Sequence, residues 1–251
     1  MPDFSILTWN ISQGHTSYAA PKEWKEAESH ENRQIISNII RSHNPDILAL
    51  QEVPNPNWLP MLVSFEHYIP LGCVSSHCGF SALLIRPQLA KYIRNVFQVG
   101  PSIIAFWKEN TITLSISSAH LYPGKEGYSQ RLEQFSALWQ CAKQQNATHM
   151  VFAGDMNMRG HEETNIESVS SPPLMDVWKQ IGNLKNKWTW NTKINHYHKS
   201  RIEFTARFDR IYCTQNIEQK SLKLVGSKPL SNPNHFASDH FGLCAHLMIT
   251  Q

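Results

Sequence analysis

The sequence predicts a mixed α/β chain in which two sheets pack together with helices outside them. Three observations carry this. Apolar runs of strand length recur with amphipathic helical stretches between them, no internal repeat or low-complexity linker divides the chain, and chemically capable polar residues fall at the ends of the strand-like runs. The 251 residues are 41% hydrophobic and include 8 Trp and 11 Phe, enough for one large core, so residues 1–251 are read as a single domain.

Taken in order, Phe4 to Trp9 alternates like a strand, with Phe4, Ile6 and Thr8 on one side. Ile35, Ile36, Ile39 and Ile40 stand at helical spacing, which predicts a helix from Asn32 to Ser42, ended by Asn44-Pro45. Asp46 to Gln51 is a nearly continuous apolar run, the pattern of a strand buried on both faces. Thr111 to His120 alternates through Ile112, Leu114 and Ile116 and predicts a strand. Tyr128 to Lys143 reads as a helix through Leu132, Phe135, Leu138 and Trp139. His149 to Ala153, Phe208 to Cys213 and Phe241 to Ile249 complete the strands. The mixed-charge run from Lys22 to Glu31 reads as a solvated loop.

Composition narrows the classes. Charged residues are 17% and the formal charge is +3, too weakly basic to establish a nucleic-acid partner but compatible with a local phosphate-binding face. Five scattered cysteines, an odd number, read as reduced thiols of an intracellular protein, in the cytoplasm or, for a eukaryote, the nucleus. Cys73, His77 and Cys78 lie close together, but no second ligand pair accompanies them, so a zinc site is not expected. No apolar run is long enough for a membrane span, and Met1-Pro2-Asp3-Phe4 lacks the charge and hydrophobicity of a signal peptide.

The chemistry lies at the strand ends. Asn10 closes the first strand and could cap a turn or serve a site. Glu52, flanked by apolar residues, needs a partner or a metal; one strand-end carboxylate suits magnesium, while a salt bridge is the simpler reading. Asp155 and Asn157, two apart after Gly154, could act as base and orienter for one water, or form an Asx turn. Asp239-His240 offers an imidazolium beside a carboxylate, a good donor to developing phosphoryl charge, or a capping Asp and a surface His. Asp209, near the start of an apolar strand, could fix the tautomer of His240 or pair with Arg207 or Arg210. Arg131 reads as a structural ion-pair former that supports the loop after His120.

In order along the chain, TWNI, LQEV, SAHL, AGDMN, RFDRIY and SDHFGL resemble the motifs of the endonuclease/exonuclease/phosphatase superfamily over nearly the whole length. Several stretches are similar to its tyrosyl-DNA phosphodiesterase 2 branch, among them Gly154 to Arg159, Thr189-Trp190-Asn191-Thr192 and Arg207 to Ile211. His120 in a Ser-Ala-His-Leu context agrees with that side of the superfamily. The resemblance implies a four-layered αββα sandwich with a metal–phosphate site at one edge of the two sheets. It implies hydrolysis of the bond between a tyrosine and a DNA 5′ phosphate, as in removal of topoisomerase-type adducts.

The roles it implies are as follows. Glu52, with Asp239 or Asn10, holds Mg²⁺, for which Mn²⁺ could substitute. Asp155 activates the water and Asn157 aligns it. His120 and His240 donate to the phosphate, and Asp209 orients His240. Phe80, Arg159, Trp190 and Phe208 bind the DNA, with Trp190 and Phe208 as a stacking wall and Trp188 in the core. A monomer with no membrane partner is expected, without an amino-terminal ubiquitin-binding module, because the motifs begin near Met1.

The chain also departs from that branch. Phe80 replaces a tyrosine, Tyr122-Pro123 follows His120-Leu121, Ser12 to Asn32 is longer, and His196 to Glu203 differs in character from the branch's apolar cap. Other readings are a phosphodiesterase or phosphatase of the same superfamily acting on RNA, phosphoinositide or phospholipid, and a catalytically silent protein that binds phosphate or nucleic-acid ends.

Overall fold

Strands whose side chains are buried on both faces need a layer above and below, and the chain supplies both. The computed structural model describes residues 3–12, 26–64, 66–171, 173–197, 202–230 and 236–250. The strands are β1 (Asp3–Asn10), β2 (Ile47–Val53), β3 (Ile69–Ser75), β4 (Phe80–Ile85), β5 (Ile93–Val99), β6 (Ser102–Glu109) and β7 (Ile112–His120). They continue with β8 (His149–Asp155), β9 (Met175–Asp176), β10 (Trp190–Asn191), β11 (Thr205–Ala206), β12 (Asp209–Cys213), β13 (Ile217–Val225) and β14 (Gly242–Ile249). The helices are α1 (Glu26–His43), α2 (Leu59–Leu62), α3 (Pro87–Ala90), α4 (Tyr128–Gln144), α5 (Glu163–Ser168) and α6 (Val177–Ile181). One six-stranded sheet runs β13-β14-β1-β2-β4-β3, a second runs β5-β6-β7-β8-β12-β9, and β10 pairs with β11 as a separate ribbon.

The alternation along each strand sorts its side chains into layers. Phe4, Ile6, Ile47 and Ala49 of the first sheet meet Ile103, Ala105, Val151 and Ile211 of the second in the central core. Leu7, Trp9, Leu48 and Leu50 face outward, where Ile36 and Ile40 of α1 cover them. Ile104, Phe106, Phe152 and Tyr212 face outward from the second sheet, under Phe135, Leu138 and Trp139 of α4. Three apolar interfaces between four layers are the αββα sandwich the sequence led us to expect.

The structure extends and corrects the sequence reading at particular elements. Helix α1 begins at Glu26, so the charge run continues into helix from that residue, while residues 22–25 lie outside the described residues. Glu and Ala are strong helix formers, and propensity outweighed the polar composition. Asn44 ends α1 in the left-handed conformation, φ 48°, with its amide on the Ile40 carbonyl. Strands β3, β5 and β13 were not evident because register shifts interrupt the alternation of each: Pro70/Gly72, Ile93/Asn95 and Gln219/Ser221. The five cysteines are free thiols.

Candidate active site

The two sheets bring their polar strand ends to one edge. Asn10 ends β1 and lies beside Gln51 in the parallel β1–β2 pair. On the other sheet, His120 pairs with Asp155 and Asp155 with Asp209, so strand register alone sets three candidate residues in a row. Gly154 makes that row possible. Its φ is 155°, and a Cβ there would lie 2.0 Å from the Ala119 carbonyl oxygen, so only glycine lets β8 come this close to β7.

Glu52 is aimed by a bulge. The β2–β4 register jumps from Leu50↔Ala82 to Val53↔Phe80, and Glu52 within the extra length takes φ 52°. Below it, a polar layer bridges the sheets: Gln51 Nε2 donates to Ser118 Oγ at 3.1 Å, and Ser118 Oγ to the Leu50 carbonyl at 3.1 Å. The sequence did not mark Gln51 or Ser118 as structural supports of the site.

Asn10 ties the sheets together at the site. Its Nδ2 donates to Glu52 Oε1 and to Asp155 Oδ2, both at 3.0 Å, while its Oδ1 accepts from the Ser12 amide at 2.9 Å. Its nitrogen thus holds the two carboxylates side by side, while its oxygen, facing the Ser12 amide, keeps a second lone pair.

Asp155 is the centre of the arrangement. Its Oδ2 stands 3.7 Å from His120 Nε2 and 3.7 Å from His240 Nε2. Its Oδ1 accepts from the Asn157 amide at 2.9 Å, which is the Asx turn, and its Oδ2 still faces the two histidines. Asn157 is held at φ 50°, and its Nδ2 donates to the Leu121 carbonyl at 3.0 Å, which leaves Oδ1 as an acceptor.

The two histidines differ in charge. Burial pushes the His120 pKa below the ordinary imidazole value, with nearby Asp155 only partly offsetting it, so His120 is neutral. Ser76 Oγ lies 3.1 Å from its Nδ1. Burial also opposes charge on His240, but Asp209 and Asp155 overcome it and hold its pKa well above the usual value. Its Nδ1 lies 2.8 Å from Asp209 Oδ2, where the imidazolium donates. Burial raises the Asp209 carboxyl to about 6, with His240 pulling it down, so the pair stands as imidazolium and carboxylate at neutral pH.

The alternative for Asp209, a pair with arginine, is overturned: Arg207 and Arg210 both bind Asp176, and Arg210 also binds Glu163 at 2.8 Å. The His240 backbone is held as well. Trp9 Nε1 donates to its carbonyl at 3.0 Å, and its amide donates to Ser238 Oγ at 3.1 Å. Asn195 Nδ2 donates to the carbonyls of Ser238 and Asp239 at 2.9 and 3.2 Å, a support for the Asp239 loop that no motif had signalled.

The donor set fits a hard divalent cation. Burial, and then Asp239, push the Glu52 carboxyl up to about 7. A carboxylate so crowded by negative charge is one a cation would relieve. Asp155, Asp209 and His240 also offer ligand atoms within 4.8 Å of one another, but Asp209 and His240 are already bonded to each other. Asp155 Oδ2 stands 3.7 Å from His240 Nε2, beyond hydrogen-bond length, so only Asp209 and His240 form a hydrogen-bonded pair within that trio.

The expected substrate contacts divide. Trp190 is half-buried, with its ring edge-on to His240 at 4.9 Å and to Phe208 at 5.8 Å. Phe208 is only 6% exposed, and the Arg159 guanidinium covers it 4.8 Å from the ring centre. This corrects Phe208 as an open stacking surface: it is a wall behind His240, and Arg159 presents the outer face. Phe80 is half-buried at the bulge, against the core under α1. Arg131 supports the loop after His120 as expected, donating to Glu162 at 2.6 and 2.9 Å and to the carbonyls of Tyr122 and Gly124. Of the His196–Glu203 segment, residues 198–201 lie outside the described residues.

Two packed sheets with an acidic and histidine-lined edge define an αββα scaffold whose edge residues fit a divalent cation and a phosphate. Residues 7–240 match the Endonuclease/Exonuclease/phosphatase family, and the chain belongs to that family. Tyrosyl-DNA phosphodiesterase 2 of Xenopus laevis is 27% identical over 261 residues, a match covering 96% of this chain and 65% of that protein. The 5′-tyrosyl-DNA phosphodiesterase of Caenorhabditis briggsae is 26% identical over 260 residues, covering 97% and 69%. The crystal structure of D. rerio TDP2 complexed with single strand DNA product superposes with TM-score 0.76 at 21% identity, covering 99% of this chain and all of that one. This chain thus spans about 65% of the length of the Xenopus relative. No described helix is long and apolar enough to cross a membrane.

Proposed function

We propose that this chain is a magnesium-dependent phosphodiesterase that hydrolyses the linkage between a tyrosine and a DNA 5′ phosphate, as in removal of protein adducts from DNA ends. The observation that carries the reading is Asp155 Oδ2 held midway between a neutral and a charged histidine, 3.7 Å from each, beside the Glu52 carboxylate. Likeness to the tyrosyl-DNA phosphodiesterases supplies the substrate class.

Glu52 and Asp239 would hold the cation, Mg²⁺ or in its place Mn²⁺, which neutralises phosphate charge when bound. Asp155 takes the proton of the attacking water, and Asn157 Oδ1 accepts the second hydrogen and sets its direction. His240, charged and braced by Asp209, donates to a nonbridging oxygen as negative charge grows there, and neutral His120 donates to another. Tyrosine leaves as a phenolate of pKa about 10, so little acid catalysis is required. Trp190 and Arg159 line the approach to this centre and receive the first nucleotide, by stacking and by bidentate phosphate contact.

The test compares a 5′-phosphotyrosyl oligonucleotide, its 3′ isomer, an abasic duplex and sphingomyelin, each with Mg²⁺ and with excess chelator. Fast, chelator-sensitive cleavage of the 5′ end alone is expected. Preference for another substrate would move the activity to a different branch of the family, and undiminished turnover in chelator would remove the metal from the mechanism.

A further inference from the structure

The catalytic edge has aromatic rings on both flanks, and the proposed chemistry uses only one of them. On the His240 flank stands Trp190, edge-on at 4.9 Å. On the His120 flank His77 stands edge-on at 6.4 Å, and Tyr122 packs against His77 at 4.6 Å with the ring planes 76° apart. Neither ring comes from a strand: His77 sits in the turn between β3 and β4, and Tyr122 lies two residues past the end of β7. Both are pinned from behind. The Ser76 amide donates to the Gly79 carbonyl at 2.9 Å, and Ser76 Oγ lies 3.1 Å from His120 Nδ1. Gly79 takes φ 68°, and a Cβ there would lie 2.5 Å from the Val53 carbonyl oxygen, so the turn is seated directly on the bulge that carries Glu52. The Tyr122 amide donates to Gln134 Oε1 at 2.8 Å, and its carbonyl accepts from Arg131 at 2.9 Å.

These rings are open where Phe208 on the other flank is covered. Tyr122 is 37% exposed and His77 is exposed as well, whereas Phe208 lies under Arg159. Burial lowers the His77 pKa, so the ring is neutral at pH 7 and offers π surface rather than charge. A ring pair anchored through its backbone and open on its outer side loses little freedom when a third ring covers it. A phosphodiester has two arms, and Trp190 and Arg159 receive the nucleotide. Resting on the reading of the site as a 5′-phosphotyrosyl phosphodiesterase, we infer that His77 and Tyr122 form the seat of the other arm, the leaving group. The phenol ring of the departing tyrosine packs against this pair beside His120, and the polypeptide on either side of it runs out to solvent over the exposed turn. The chain then selects aryl over alkyl esters by contact as well as by leaving-group acidity. Tyr122 is one of the residues at which the sequence departs from the branch it resembles, so the seat belongs to this chain's own sequence.

The experiment uses the full chain and one oligothymidylate carrying, in turn, three 5′-phosphate esters: tyrosyl, phenyl, and an aliphatic fluoroalcohol as acidic as phenol. Matched acidity removes the leaving group's own chemistry from the comparison. In the wild type kcat/KM for both aryl esters should exceed that for the alkyl ester by about three- to tenfold, the size of one aromatic ring contact. His77→Ala and Tyr122→Leu should each shrink this ratio, and Tyr122→Phe, which retains the ring, should keep it. Equal rates on aryl and matched alkyl esters in the wild type would overturn the seat. So would a ratio unchanged in His77→Ala and Tyr122→Leu, which would leave the ring pair as a brace for the turn. Losses that grow with the length of the oligothymidylate would place the pair on the nucleotide arm and overturn the inference as well. Failure of the wild type to cleave any of the 5′ esters, with folding verified by thermal melting, would reject the proposed function itself, and the seat with it.

Discussion

At the scale of single residues, four titratable side chains face one another in the cleft. Asp155 stands between His120 and His240, and Asp209 braces His240 from behind at 2.8 Å. Asp155→Asn keeps the shape and removes the base, so single-turnover rates should fall by at least about 10²–10⁴. Substrate binding should persist or strengthen with one negative charge gone from beside the phosphate. His240→Gln should lower the rate by about 10²–10³, the loss expected for one preorganised donor. Asp209→Asn should be a milder form of that defect. The combination Asp209→Asn/His240→Gln should cost little more than His240→Gln alone, because Asp209 acts through the imidazole. Additive losses in the cycle would separate the two residues, and with Arg207 and Arg210 already bound to Asp176, Asp209 would need another partner.

At the scale of elements, stability and site geometry depend on the same close contacts. The β7–β8 pair admits only glycine at position 154, where a Cβ would meet the Ala119 carbonyl oxygen at 2.0 Å. Gly154→Ala should lower stability by about 3 kcal/mol or more in urea unfolding and should reduce activity of the remaining folded protein, since His120 and Asp155 are set by that pairing. Helix α4 makes a different kind of contact. Arg131 and Glu162 form a fully buried ion pair that clamps the loop after His120. Arg131→Met leaves Glu162 buried and unpaired and should cost about 3–5 kcal/mol, while Arg131→Met/Glu162→Leu should recover most of that loss. If the double variant is as unstable as the single one, the carbonyl contacts of Arg131 outweigh its ion pair.

At the scale of the whole molecule, folding, cation and pH are linked through Glu52. Burial, and then the nearby Asp239, raise the Glu52 carboxyl to about 7. Only its carboxylate form binds a cation. Below pH 7 a proton must leave before Mg²⁺ enters, so affinity from this group should weaken up to about tenfold per pH unit as pH falls, and level off above pH 7. The rise in Tm given by a fixed Mg²⁺ concentration should therefore be larger at about pH 8 than at about pH 6. Glu52→Gln should abolish most of the Mg²⁺ effect. An equal Tm rise at both values would mean that Glu52 does not carry the cation.

By itself the sequence determined the layers and the identity of the chemical groups. Alternation in β1 and the doubly apolar runs of β2 and β8 are local patterns, and local patterns suffice to say which faces must be covered. The polar residues at the strand ends were legible for the same reason. Tertiary structure decided what those groups are. Asn10 reaches Asp155 across 145 residues of chain, and Asp209 takes His240 while the neighbouring arginines take Asp176. It also set the charge of each histidine: His120 and His240 both end in one cleft, yet one is neutral and the other cationic. A pKa answers to burial and to charges that approach through space, so neither assignment could be read from order along the chain. Phe208, expected as an open platform, is covered because Arg159 folds back upon it, and that too is a fact of packing.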